Sequence, residues 1–424
     1  MIFFEGVERM AYNSILLYID PGTGSMLFTI LIGLVGTAMF LAKKLWLKLK
    51  FRLSGGKATI SEENVPYVIF SDSKNYWSTF KPICDEFEKR GIDVVYWTAS
   101  PDDPALNEEY EHVNCEFIGE GNKAFAKLNM MRADICLSTT PGLDVYQWKR
   151  SRNVRYYVHI MHSAATTLLY RMFGMDYYDA LLLTGDFQAK EVRELEEVRK
   201  DPQKEIEVVG CVYLDGLKNK LDEVGQIPRE TDKKTILLAP SWGDAAILKL
   251  YGNRLIDALI KTGYKIIIRP HPQSIRSEKD MIEKLMKDYP ETEDLEWNND
   301  TDNFDVLRRA DLMITDFSAV ILDFALVFDK PVIYAEYDLD KSVYDAAWID
   351  HPLWQEEMFP KLGKALKEEQ FDDLKSIIDS MISSEVFASG RETARDEAWM
   401  NIGHSAELTV DYLVRKSTQL HSIS

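Results

Sequence analysis

The chain has 424 residues, 46% of them apolar, which allows two domains with full cores and excludes a globally disordered protein. Its 50 Lys and Arg against 69 Asp and Glu give a net charge of −19. That balance argues against a nucleic-acid partner, and an anionic substrate must then be held by local groups such as helix ends and single cations. The four cysteines, Cys84, Cys115, Cys136 and Cys211, form no Cys-x-x-Cys pair and read as reduced packing residues.

Residues 21–42 contain no charged side chain. As a helix they measure about 33 Å, enough to cross a hydrocarbon core of about 30 Å. Lys43, Lys44, Lys48, Lys50, Arg52 and Lys57 follow, whereas Glu5, Glu8 and Asp20 precede the run. The positive-inside rule then predicts a single-pass span with the body in the cytoplasm. A cleaved signal peptide fits less well, because the apolar run is long and the basic cluster comes after it. Residues 1–60 are therefore expected to form a membrane anchor with a basic juxtamembrane linker.

Beyond the linker, strands are predicted over 68–70, 94–97, 135–137, 156–160, 181–184 and 207–209. Helical patterns over 77–90, 123–131 and 187–200 lie between several of them. Alternation of this kind implies a parallel sheet covered on both faces. A polar stretch over 222–234, with Gly225 and Pro228, reads as a linker, so the first domain is placed at 61–228 and the second at 229–424. In the second, strands over 235–239 and 265–269 alternate with helices over 254–261 and 277–289. From 359 onward the chain reads as mostly helical. The expected fold is α/β and GT-B-like: two doubly wound Rossmann-like domains facing a cleft, plus the amino-terminal span.

The stretch 310–319 is the most informative. Leu312, Met313 and Ile314 form an apolar run suited to a buried parallel strand. Thr315, Asp316 and Ser318 are helix-capping types, and a helix is predicted over 320–328. A strand entering a capped helix through a short turn places backbone N–H groups and hydroxyls at the carboxyl edge of a sheet. Such a turn suits the phosphates of a nucleotide donor.

His271 follows the strand Ile266-Ile267-Ile268 within Arg269-Pro270-His271-Pro272. There His271 or Arg269 can neutralise a phosphate; a loop histidine bound to backbone is the alternative. His162 follows the run 156–160 at the equivalent place in the first domain, ahead of a helix expected over 164–173. Its imidazole has the titration range to take a proton from an attacking hydroxyl. Capping or packing is the alternative for His162, and His159 on the strand itself reads as a core residue. Ser241, with Trp242, follows the strand over 235–239 and can approach a donor. Asp323, between Leu322 and Phe324, needs a partner, either a donor hydroxyl or an internal hydrogen bond. Asp338-Leu339-Asp340 has an Asp-x-Asp form seen at metal sites of another transferase architecture, but it follows a second-domain strand beside Lys341, and no metal site is expected. No P-loop element occurs.

Ser241-Trp242, Arg269-Pro270-His271-Pro272, Ile314-Thr315-Asp316-Phe317-Ser318, Leu322-Asp323-Phe324 and Lys330-Pro331-Val332-Ile333-Tyr334, followed by Tyr337-Asp338, resemble the CDP-glycerol glycerophosphotransferases that build teichoic-acid-type polymers. The likeness covers about residues 235–345 and is weaker over 155–215. It departs at Ser163, where the family usually has glycine, and at Ala319, where it has a second serine. The resemblance implies transfer of glycerol phosphate, or a related polyol phosphate, from a CDP-activated donor to a hydroxyl of a lipid-linked or glycan acceptor at the cell membrane. His162 would be the base. His271, Arg269 and the turn at Thr315, Asp316 and Ser318 would hold the pyrophosphate, without a metal or other cofactor. The rivals are a nucleotide-sugar glycosyltransferase of the same architecture, a nucleotide-sugar epimerase, and a membrane-tethered nucleotide-binding scaffold.

Overall fold

The computed structural model describes residues 65–225, 227, 233–300, 302–336 and 339–422. The apolar segment 21–42 and its basic flank lie outside them. Among the described residues, no helix is long and apolar enough to cross a membrane. Residues 63–424 form one compact unit.

Seven strands make the first sheet: β1 (Val65–Ser71), β2 (Val94–Thr98), β3 (Val113–Phe117), β4 (Arg132–Ser138), β5 (Asn153–Ile160), β6 (Ala180–Leu183) and β7 (Glu205–Val208). Six make the second: β8 (Thr235–Leu238), β9 (Lys265–Ile268), β10 (Leu295–Trp297), β11 (Leu312–Thr315), β12 (Val332–Ala335) and β13 (Gly363–Leu366). Their orders are β3-β2-β1-β4-β5-β6-β7 and β10-β9-β8-β11-β12-β13. The pairing is parallel throughout, as in β1 with β4 and β8 with β11. Both sheets are thus doubly wound, as expected. The order reverses between β1 and β4 and between β8 and β11, where ligands of such sheets bind outside the carboxyl ends.

Alternation along the strands builds a core on each face. In the second sheet Leu237, Ile267, Met313 and Val332 fill one face, and Ile236, Ile268, Ile314 and Ile333 fill the other. The first of these cores also takes in Ala164, Phe187, Cys211, Leu214 and Leu217 from the first lobe, so the two sheets share apolar packing. The rings of Phe187 and Trp354 stack across this boundary with centroids 4.0 Å apart.

Three strands were not anticipated: β3, β10 and β13. All are edge strands, and β13 interrupts the stretch expected to be helical. Edge strands need fewer apolar residues, so they lack the continuous run that marks a central parallel strand. After the second sheet the chain crosses back to the first lobe. Trp399 Nε1 donates to Asp215 Oδ1 at 2.8 Å, and the Ser405 amide donates to Asp215 Oδ2 at 3.1 Å. Helix Ser405–Ser422 then sends Val410, Tyr412 and Leu413 into the core of the first sheet. Gly210, at φ +96° beside the Met400 carbonyl, leaves no room there for a side chain.

A second crossing strap joins the lobes. Tyr344 forms a β-bridge with Arg171, and Asp345 Oδ1 accepts from the Phe173 amide at 2.9 Å and from Arg199 at 3.2 Å. Asp345 and Arg199 are both buried, so this ion pair is shielded from water.

Candidate active site

His162 stands two residues past the end of β5, and Thr139 is the first residue past β4. Adjacent parallel strands therefore bring the two side chains together, with His162 Nδ1 2.8 Å from Thr139 Oγ1. The Tyr170 hydroxyl lies 3.5 Å from the same nitrogen, and the Tyr76 ring packs on the imidazole at 4.8 Å. Burial pushes the His162 pKa down to about 4, so the ring is neutral at neutral pH.

The helix expected over 164–173 does not form. A short 3-10 turn, Thr167–Leu169, replaces it. The cause is Glu191, whose carboxylate accepts from the hydroxyls of Thr166 and Thr167 and from the Thr167 amide, at 2.6–2.9 Å. These bonds hold the backbone outside the helical path. His159 is fully buried with neither ring nitrogen paired, and it packs edge-on against Tyr170 and Tyr178, as a core residue should.

Facing this wall are the loops of the second sheet. His271 caps helix Pro272–Ser277 by accepting the Gln273 amide at Nδ1, 3.1 Å away. That bond fixes the neutral tautomer, so Nε2 carries the proton and is a donor. Burial, followed by the Arg269 charge, pushes the His271 pKa down to about 4. It is therefore a neutral hydrogen-bond donor at neutral pH, and Arg269 supplies the positive charge. The Arg269 guanidinium is braced by Asn298 Oδ1 and by the Asp300 carbonyl at 2.8 Å.

One cleft of about 450 Å³ is lined by His162 from the first lobe and by Ser241, Arg269, His271 and Ser318 from the second. Thr315, Asp316 and Asp323 do not line it. Thr315 Oγ1 donates to the Ala239 carbonyl at 2.6 Å. Asp316 is fully buried and accepts from the amides of Ser241, Ile247 and Ser318 at 2.9–3.2 Å. It ties the β8 loop to the β11 loop at the switch point of the sheet, and so positions two lining serines.

Asp323 lies on a different wall. The helix expected over 320–328 is α-helical only over Val320–Leu322 and then widens into a π turn, Asp323–Val327. Asp323 faces an adjoining cavity of about 590 Å³ that shares His162, Ser163, Asn303 and Ala319 with the first. Burial raises its pKa to about 7, against hydrogen bonds from Tyr213 and Asn303.

Asp338 lies outside the described residues, and Asp340 caps the turn Lys341–Val343 by accepting the Ser342 amide at 2.9 Å. Among the described residues, no group of three or more His, Cys, Asp or Glu side chains is placed to hold a metal ion. Thr139, Asn303, Tyr344 and Gln355 were not singled out in the sequence. For Thr139 a signal existed, since it ends an apolar strand at the carboxyl edge of the sheet.

Residues 201–370 match the family model described as CDP-glycerol:poly(glycerophosphate) glycerophosphotransferase. A teichoic acid glycerol-phosphate transferase of Staphylococcus aureus is 31% identical over 137 residues, 30% of this chain and 31% of that protein. The chain thus matches less than half the length of such curated relatives. Among solved structures, the wall teichoic acid polymerase TagF superposes with a TM-score of 0.57 at 16% identity, covering 92% of this chain and 98% of that one. The UDP-GlcNAc 2-epimerase of Methanocaldococcus jannaschii does so at 0.52 and 13% identity, over 83% of this chain and all of that one. These two likenesses show the fold: two Rossmann-like domains in the GT-B manner. The segment that matches the CDP-glycerol:poly(glycerophosphate) glycerophosphotransferase model, residues 201–370, is the one that carries Ser241, Arg269, His271 and Ser318.

Proposed function

We propose that the protein transfers glycerol phosphate, or a related polyol phosphate, from a CDP-activated donor to a hydroxyl of a lipid-linked or glycan acceptor in cell-envelope polymer synthesis. The observation that carries this reading is the single cleft that His162 and His271 line from opposite lobes, with Arg269 and Ser318 beside them. The family match over 201–370 supports the donor class.

The acceptor hydroxyl oxygen attacks the β-phosphorus. A new P–O bond forms to the acceptor, and the bond from that phosphorus to the bridging oxygen breaks, so CMP leaves with the electron pair. With Nδ1–H donating a hydrogen bond to Thr139 Oγ1, His162 presents the Nε2 lone pair to the acceptor hydroxyl and takes its proton. The forming imidazolium is stabilised by the donor phosphates, which offset part of the burial that depresses its basicity. His271 Nε2–H, the Arg269 guanidinium and Ser318 hold the pyrophosphate as charge moves onto the leaving CMP. Trp242, 45% exposed at the cleft, offers a face to the base.

Incubating the full-length protein with CDP-glycerol and, separately, with a panel of nucleotide-sugars tests the proposal. The expected result is CMP release from CDP-glycerol that depends on an added acceptor. Consumption of a nucleotide-sugar instead, with or without acceptor, would replace this reading with a glycosyltransferase or an epimerase.

A further inference from the structure

Helix Trp354–Leu362 places Gln355 on the wall of the cleft, beyond β11 in the sheet order and away from the β9 loop that carries Arg269 and His271. Gln355 is only 2% exposed, yet its amide Nε2 has no hydrogen-bond partner. Buried side-chain amides are nearly always paired, and one left unpaired at a cavity wall marks a position that a ligand completes. Ser241, itself buried, lines the same cleft.

The surroundings of Gln355 indicate which part of a ligand lies there. Among the described residues lining the cleft, Arg269 is the only permanently charged one, and it is on the β9 side. Leu339 and Tyr344, which like Gln355 lie between β12 and β13 in the chain, also line the cleft and carry no charge. Among the described residues, none that lines the cleft from that segment carries a charge to neutralise a phosphate. An amide offers a donor and an acceptor on neighbouring atoms, which matches a hydroxyl, itself both donor and acceptor.

Resting on the functional reading above, we propose that Gln355 recognises the hydroxyls of the uncharged polyol unit of the donor, and so helps to select the group that is transferred. The polyol then lies along Tyr344 and Gln355, with the pyrophosphate over Ser318, Arg269 and His271.

Calorimetric titration of the full-length protein with CDP and with CDP-glycerol separates the two ends of the cleft. Gln355→Met keeps the length of the side chain and removes its hydrogen bonds. CDP-glycerol should then bind roughly ten-fold more weakly, as expected for loss of one or two hydrogen bonds, while CDP affinity stays within about two-fold. The melting temperature without ligand should hold or rise, because an unpaired buried amide has been removed. Gln355→Leu should give the same split. Equal losses for CDP and CDP-glycerol would overturn the subsite, as would a lowered melting temperature with unchanged CDP-glycerol affinity. If the unaltered protein binds neither compound, the functional reading fails and this subsite fails with it.

Discussion

Thr139 Oγ1 and His162 Nδ1 lie 2.8 Å apart at the ends of adjacent parallel strands, and this contact orients the candidate base. Among the described groups around this imidazole, no carboxylate takes the place of the hydroxyl. Thr139→Val keeps the shape and removes the bond. Turnover should fall about ten-fold, equivalent to ~1.4 kcal/mol, with donor KM little changed. Thr139→Ser should restore it. Steady-state kinetics of the three proteins decides, and equal activity of the valine and serine forms would remove Thr139 from the mechanism.

His162→Ala should lower turnover by about 10²–10⁴ while donor affinity stays within a few-fold. The pH profile carries a further test. The competent form of His162 is neutral and its pKa is pushed down to about 4, so activity should be flat through the neutral range and lost as pH falls through that value. The fold is subject to the same sign. His159, His162 and His271 are depressed below 6.5 in the folded state, so the unfolded chain binds more protons below that pH. Their contribution to stability should fall as pH drops from about 6.5 toward 4, opposed over that range by Glu191 and Asp323, whose carboxyls burial raises to about 7. The test is therefore the change in the pH slope of denaturant midpoints between the unaltered protein and His271→Asn.

On the donor side, His271→Ala removes both a phosphate donor and the cap of Pro272–Ser277, whereas His271→Asn retains a good capping residue. Both should weaken CDP-glycerol binding by about 1.5–3 kcal/mol, the usual worth of a hydrogen bond to a charged group. Only the alanine form should also lose about 1 kcal/mol of stability. Ser318→Ala should do less harm to binding. Normal donor affinity in His271→Asn would mean that the imidazole is there for the cap alone.

Asp316→Ala leaves the buried amides of Ser241, Ile247 and Ser318 without their acceptor. The expected loss is about 3 kcal/mol or more of stability, measured by denaturant unfolding. Donor binding should weaken as well, because the two loops are no longer tied. A stable variant with reduced affinity would instead assign Asp316 a direct contact with the donor.

Removing residues 1–60 should leave the melting temperature of the body unchanged, since residues 63–424 carry their own cores. The shortened protein should no longer float with lipid vesicles. It should still use a short soluble acceptor and work poorly on one embedded in a membrane. Undiminished flotation would show that the 21–42 segment is not the main anchor.

The central strands and the positions of the two histidines were legible in the sequence because each depends on local pattern. A strand buried on both faces must be a nearly continuous apolar run, as Ile266-Ile267-Ile268 and Leu312-Met313-Ile314 are. The residue after such a strand lies at the carboxyl edge of the sheet, which places His162 and His271. Tertiary structure alone decided what depends on partners distant in the chain. The edge strands β3, β10 and β13 owe their conformation to a neighbouring strand, and their own residues carry little signal. Glu191 draws Thr166 and Thr167 out of a helix from 24 or 25 residues away, and no local propensity reveals that. Thr315, Asp316 and Ser318 look equivalent in sequence as capping residues beside a phosphate. Folding gives the first two to the Ala239 carbonyl and to three backbone amides, and leaves Ser318 facing the cleft. The return of Ser405–Ser422 to the first sheet is likewise a matter of which apolar face remains uncovered, and only the assembled core determines that.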